Sequence, residues 1–162
     1  MTAFLFRAPS GVAGDITRQL DTTVESGLLN AANAPAAFGA PVKIVSGKFE
    51  AIEAGDAAAD FAGIISRIAP SIAGDTAQTF ASGTPNAESV QGIVVSGYIN
   101  VVCPVGTPAR GGAVYMRVAA ATGKAVGDLE ATADGTDNVL LAGVTWAVDG
   151  KDASNVAEIR IA

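Results

Sequence analysis

Short runs of Val and Ile, each stopped within a few residues by Gly, Pro, Asp or Asn, place the strongest constraint on this chain. They fall at Val42–Ser46, Gly63–Ile68, Val90–Val95, Gly97–Val102, Ala113–Ala119, Val139–Val148 and Val156–Ile161. β-Branched side chains favour extended backbone, and turn residues between such runs define strands of ordinary length. Links this short join antiparallel neighbours. The spacing therefore predicts an all-β fold, a small antiparallel β-barrel or sandwich. In Val156–Ile161 the alternation is clean, with Val156, Glu158 and Arg160 facing one way and Ala157 and Ile159 the other. Gly63–Ile68 carries apolar residues on both faces, which predicts a central strand.

Residues 1–41 read differently. One apolar patch, Phe4-Leu5-Phe6, is followed by turn chemistry at Pro9-Ser10-Gly11, Gly14-Asp15 and Asn33-Ala34-Pro35. The expected organisation is an extended N-terminal arm over 1–41 and a β body over 42–162, one domain overall. Ile16, Leu20, Val24 and Leu28 recur every four residues behind Asp15, a good helix N-cap. Thr17, Thr22, Thr23 and Val24 lose χ1 freedom in a helix. An extended arm with a short strand at Thr22–Glu25 is the preferred reading. A weak echo links Ala54–Ala62 to Ala73–Ala81, with Gly55-Asp56 and Gly74-Asp75 in register, and Gly-Asp also appears at Gly14-Asp15 and Gly127-Asp128. Turns account for it: Gly supplies positive φ and Asp bonds nearby N–H groups.

Charge narrows the function. A net charge of −6 with scattered Lys and Arg argues against nucleic-acid and anionic-membrane surfaces, which need clustered cations. Charged residues make up 16% of the chain, below the usual share of about 25%. Much of the surface must then be Ala, Gly, Ser and Thr, as in a protein covered by partners. Phe4-Leu5-Phe6, followed by Arg7, is too short for a secretory h-region. The uncharged stretch Ser89–Ala109 is broken by Gln91, Ser96, Asn100 and Pro104, so it reads as two buried strands and not as a membrane span.

Catalytic chemistry finds little to work with. The chain contains no histidine, which removes Ser-His-Asp and Cys-His machinery and His-ligated metals. Cys103, alone in an apolar strand end, reads as a buried inert thiol. Gly123-Lys124-Ala125 lacks the leading Gly and following Ser or Thr of a phosphate loop. Asp56 with Asp60 is the remaining carboxylate pair for a hydrolase. Asp134-Gly135-Thr136-Asp137-Asn138 looks like a calcium loop but lacks the ligand alternation and distal Glu, so a turn is expected. No catalytic residue, metal site or cofactor is predicted. Phe38, Phe61, Phe80, Tyr98, Tyr115 and Trp146 are dispersed as core fillers.

Three stretches, taken in order, resemble the structural cement, or capsid decoration, proteins of tailed bacteriophages. They are Arg7-Ala8-Pro9-Ser10-Gly11 with Gly14-Asp15-Ile16-Thr17-Arg18; Thr23-Val24-Glu25 leading to Phe38-Gly39-Ala40-Pro41-Val42-Lys43; and Gly55-Asp56 with Phe61–Arg67. Gly97–Val101 and Gly111–Tyr115 are similar to barrel strands of related phage proteins. The resemblance implies a non-enzymatic protein made in the bacterial cytoplasm and carried on the outer surface of the virion. Its implied partners are the phage major capsid protein and further copies of itself, as dimer or trimer. In this reading Phe4 and Phe6 anchor the arm on the capsid, while Arg7 and Arg18 pair with acidic capsid groups. A carbohydrate- or cell-surface-binding β module is the alternative.

Overall fold

The computed structural model describes residues 11–67 and 84–162. Its strands are β1 (Thr23–Leu28), β2 (Pro41–Val45), β3 (Lys48–Ala51), β4 (Gly63–Ile65), β5 (Val90–Val102), β6 (Ala113–Arg117), β7 (Leu129–Glu130), β8 (Asn138–Trp146) and β9 (Val156–Ile161). The only helical turns among the described residues are 3-10 turns at Gln19–Asp21, Ala31–Asn33 and Ala58–Asp60. The strands form one nine-stranded antiparallel sheet in the order β3-β2-β4-β5-β9-β8-β6-β7, with β1 also paired to β5. This is the all-β fold the strand spacing predicts, curled into a half-barrel. An isolated bridge between Leu29 and Phe49 brings the end of β1 to β3.

β5 organises the molecule. Val90–Val95 and Gly97–Val102, expected as separate strands, are one strand bent at Gly97. Below the bend Ile93 and Val94 pair with β4 and with β1; above it Gly97–Val102 pairs with β9. Gly97 has φ +115°, and a Cβ there would stand 2.4 Å from the Thr22 Cα and 2.5 Å from the Asp21 carbonyl oxygen. Only glycine lets the N-terminal segment cross β5 this closely.

Two apolar clusters fill the curl. The larger takes Ile99 and Val101 from β5, Val114 and Met116 from β6, Leu141, Val144 and Trp146 from β8 and Ile159 from β9. The smaller holds Leu29, Phe38, Val42, Phe49, Ile65 and Ile93. Burying a side chain of this size contributes about 1.5–3 kcal/mol. Gly27 of β1 is the slot for Phe49, since a Cβ there would lie 1.9 Å from the ring.

The expected strands stand with shifted ends. β4 stops at Ile65, and Ile68 lies outside the described residues, as do Phe80 and Gly74-Asp75. The four-residue apolar spacing from Ile16 forms no helix: a 3-10 turn is followed by β1, which runs three residues beyond the expected Glu25. The sequence pattern missed β3 and β7, because four- and two-residue strands are too short to show a period. Glu158, which shares a face of β9 with Val156 and Arg160, is buried, because the N-terminal segment lies over it.

The Gly-Asp pairs repeat one turn. The Asp15 N–H donates to the Val12 carbonyl at 3.1 Å, Asp56 to Glu53 at 3.3 Å and Asp128 to Ala125 at 3.1 Å. In the last two the Asp carboxylate also accepts from the same upstream residue, from the Glu53 N–H and the Ala125 N–H, each at 2.7 Å. The preceding glycines sit at φ +88°, +87° and +89°, as a turn with glycine at its third position requires.

Candidate functional site

Of the residues expected to contact a partner, Phe4, Phe6 and Arg7 lie outside the described residues. Arg18 lies on a segment that runs antiparallel along β5. The Gly14 N–H donates to the Asn100 carbonyl at 2.8 Å, Asn100 donates back to Asp15 at 3.0 Å, and Thr17 donates to Tyr98 at 3.3 Å. The Thr22 hydroxyl accepts from the Tyr98 N–H at 3.1 Å. From Thr23 the ladder continues as β1. Residues 14–28 of the expected arm therefore lie along β5 from Val90 to Asn100.

Side chains pin this segment. The Arg18 guanidinium stacks 3.9 Å over the Tyr98 ring and pairs with Glu158 at 3.3 Å. Thr17 donates its hydroxyl to the same carboxylate. Glu158 thus has two partners from the segment that covers it. The Arg18 side chain remains 41% exposed.

The segment presents apolar groups to solvent. Leu20 is fully exposed, and Val24, Leu28 and Val90 are exposed beside one another along β1 and β5. Val24 and Val90 line an open groove of about 530 Å³ with Asp15, Gln19, Ser26 and Arg67. A second exposed apolar spot is Ile44-Val45, at the tip of the β2–β3 hairpin. Its turn residues Ser46 and Gly47 both take positive φ, as two-residue hairpin turns do.

Several titratable groups are spent on structure. Arg117, wholly buried, bonds Glu130 through Nε at 2.5 Å and Nη2 at 3.0 Å, and Asp134 through Nη2 at 2.5 Å. Asn138 donates to Glu130 at 2.6 Å, and Lys124 also reaches Asp134. This network ties β6, β7 and the turn before β8 together. It raises the Arg117 pKa and, with Lys124 as the larger cause, lowers that of Asp134. The stretch from Asp134 to Asn138 is the turn that was expected there, ion-paired through Asp134, with Asp137 donating its N–H to the Asp134 carbonyl at 3.0 Å. Asp56 and Asp60 do not pair: Asp56 meets Lys43, and Asp60 accepts from the Ala57 N–H at 2.7 Å. Cys103 is buried, and burial pushes its thiol pKa up. Among the described residues no group of three His, Cys, Asp or Glu side chains could hold a metal ion. No helix of those residues is long and apolar enough to cross a membrane.

Lys43 gives a pH prediction. Its ammonium bonds Glu53 at 2.8 Å and Asp56 at 2.9 Å, and these partners, Glu53 first, push its pKa from 10.5 up to about 12. Folding raises the pKa, so this contribution is full below pH 10.5 and is lost as the pH rises through about 12. Denaturant unfolding of the wild type should show this alkaline loss. In Lys43→Met the same pH series should be flatter over that window.

This curled β half-barrel holds Arg18, Lys43, Arg117 and Lys124 in internal ion pairs, and its exposed apolar side chains on β1 and at a hairpin tip are surface of the kind that packs against other proteins. The comparisons give the fold its identity. The sequence profile of the XM1 gp53 minor capsid protein matches residues 1–161, and the chain belongs to this family of phage minor capsid proteins. It is a structural capsid component located in the virion. Among solved structures it is similar to a chain from the capsid of Myoviridae phage XM1, with a TM-score of 0.70 at 16% identity. The match covers 99% of this chain and 96% of that one. A comparison with curated proteins finds no match.

Proposed function

We propose that the protein binds the outer surface of a phage capsid and stabilises the shell by bridging neighbouring major capsid proteins. The observation that carries this reading is the N-terminal segment. It runs along β5, stays exposed through β1, and leads directly from the residues expected to grip the capsid. Phe4 and Phe6 anchor on capsid subunits; Arg7 and Arg18, whose side chain is partly exposed, pair with acidic capsid groups. Binding that exists only on the assembled lattice adds free energy that rupture must forfeit, and many identical contacts act together. A net charge of −6 suits a position outside the shell, away from packaged nucleic acid. The sugar-binding alternative needs displayed aromatic rings, whereas Trp146, Phe38 and Phe49 are buried.

Residues 14–28 pair with β5, so the informative truncation stops at residue 10. The chain lacking residues 1–10 should keep the unfolding midpoint of the full chain and lose at least about tenfold in affinity for expanded capsids, a difference of about 1.4 kcal/mol. Cryo-EM of capsids with the full chain should show added density on the outer shell. Bare capsids, internal density or undiminished binding of the truncated chain would overturn the reading.

A further inference from the structure

A single exposed leucine needs no explanation on a protein surface. Leu20 differs in how it is held and in what stands around it. Among the described residues it is the most exposed large apolar side chain. It sits at the centre of the 3-10 turn Gln19–Asp21, and that turn is closed twice on one acceptor. The Asp21 N–H donates to the Arg18 carbonyl at 3.2 Å, and the Thr22 hydroxyl donates to it at 2.7 Å. The close crossing at Gly97 seats Asp21 and Thr22 on β5. The turn therefore holds Leu20 away from the sheet, and a side chain ordered before it binds loses little freedom on binding. Beside it stands a row of arginine and tyrosine. Tyr98 of β5 is paired in register with Arg160 of β9, so the two side chains share a face, and Arg18 covers the Tyr98 ring. Glu158 answers Arg18. Arg160 is exposed and takes part in no ion pair among the described residues. An open hollow of about 430 Å³ lies between the turn and the end of β9, lined by Asp21, Ser96, Tyr98, Arg160 and Ile161.

We propose that Leu20 and Arg160 form the anchor by which the protein grips a capsid subunit: Leu20 enters an apolar socket on that subunit, and a carboxylate beside the socket takes Arg160. This anchor presupposes the capsid-binding reading and adds to it which of the described residues make the contact. Charge selects the occupant. The chain carries a net charge of −6, so an acidic surface is held off except where a guanidinium stands free. Arg160 offers a planar fork of N–H donors that matches a carboxylate. Asp21 lines the same hollow and offsets that charge at longer range, so the hollow takes one carboxylate in contact and not a cluster of them. Leu20, once seated, shields the ion pair from water, and attraction between charges strengthens as water leaves. Arginine and tyrosine are also the side chains that most often carry the energy of a protein contact.

Cosedimentation of the full chain with expanded capsids, for the wild type, Leu20→Asp, Arg160→Gln and Leu140→Asp, tests the assignment. Leu20 and Arg160 are exposed, so the first two variants should keep the wild-type unfolding midpoint. Leu20→Asp should bind at least about tenfold more weakly, as loss of an interface anchor does. Arg160→Gln should bind about threefold more weakly or worse, and its binding should depend less on salt, because an ion pair is gone. Leu140→Asp puts the same charge on another exposed leucine, on β8, and should bind as the wild type does. A photo-crosslinking side chain at position 20 should join the protein to a capsid subunit. If a substitution lowers the unfolding midpoint, this crosslink still decides. Wild-type affinity in Leu20→Asp, an unchanged salt dependence in Arg160→Gln, or an equal loss in Leu140→Asp overturns the anchor and leaves the capsid reading standing. So does a crosslink to a second copy in place of a capsid subunit. A wild type that binds no capsid overturns both.

Discussion

Gly97→Ala is expected to lower stability by about 3 kcal/mol or more and to detach the N-terminal segment from β5. Two costs combine. At φ +115° an L-residue is strained by about 1–3 kcal/mol. The added Cβ would also stand 2.4 Å from the Thr22 Cα and 2.5 Å from the Asp21 carbonyl. Those are backbone atoms of a segment held by hydrogen bonds at Gly14, Thr17 and Thr22, so no side chain can swing aside. The cheapest relief is for the crossing segment to lift. Lifting it exposes Glu158 and separates Arg18 from Tyr98. Denaturant unfolding should show a large drop in midpoint. Hydrogen exchange should show lost protection at Gly14, Thr17 and Tyr98, while β6 and β8 stay protected. Wild-type stability with protection retained would mean the segment is not clamped at this crossing.

The second large effect is at Glu130. Glu130→Leu leaves the Arg117 guanidinium wholly buried with Asp134 as its remaining carboxylate, and breaking one side of a buried pair costs about 3–5 kcal/mol. Asn138 loses an acceptor as well. The double variant Arg117→Met, Glu130→Leu should recover most of that loss, since an apolar pair of similar volume removes the uncompensated charge. A double variant as unstable as Glu130→Leu alone would show that the network acts through backbone positioning of β7 and not through charge. Asp134 supplies an acid-side signature. Its pKa is lowered in the folded state, by Lys124 before Arg117. Its contribution is therefore present above the ordinary carboxylate range and lost as pH falls through its folded value.

Much of the fold was legible in the strand patterns. β2, β6, β8 and β9 follow Val/Ile runs between turn residues, and the Gly-Asp pairs mark turns wherever they lie among the described residues. The apolar beat from Ile16 to Leu28 was the ambiguous signal. Its β-branched residues resolved it toward extended chain, because a strand with a paired neighbour has no use for helical χ1 restriction. β3 and β7 were invisible for a different reason. They are strands because β2 and β6 offer edges to pair with, a property of the neighbours.

The site was less legible. Arg18 stood out by its resemblance and position, but its partners Tyr98 and Glu158 are 80 and 140 residues away along the chain, and no spacing rule connects them. The exposed stripe of Val24, Leu28 and Val90 joins two strands whose register is known only once they are paired. Arg117, Glu130 and Asp134 were scattered charges in a chain poor in them, and Asn138 was one neutral amide among others.

What the sequence determined alone is local: which stretches extend, where the chain turns, and which chemistries are excluded by the lack of histidine and the lone cysteine. These follow from backbone sterics and side-chain inventory. The tertiary structure decided that β5 is one bent strand, that Glu158 is covered, and that the end of β1 reaches β3. Each of these depends on which strands lie side by side, and pairing is chosen by long-range burial and hydrogen bonding, which no local pattern encodes.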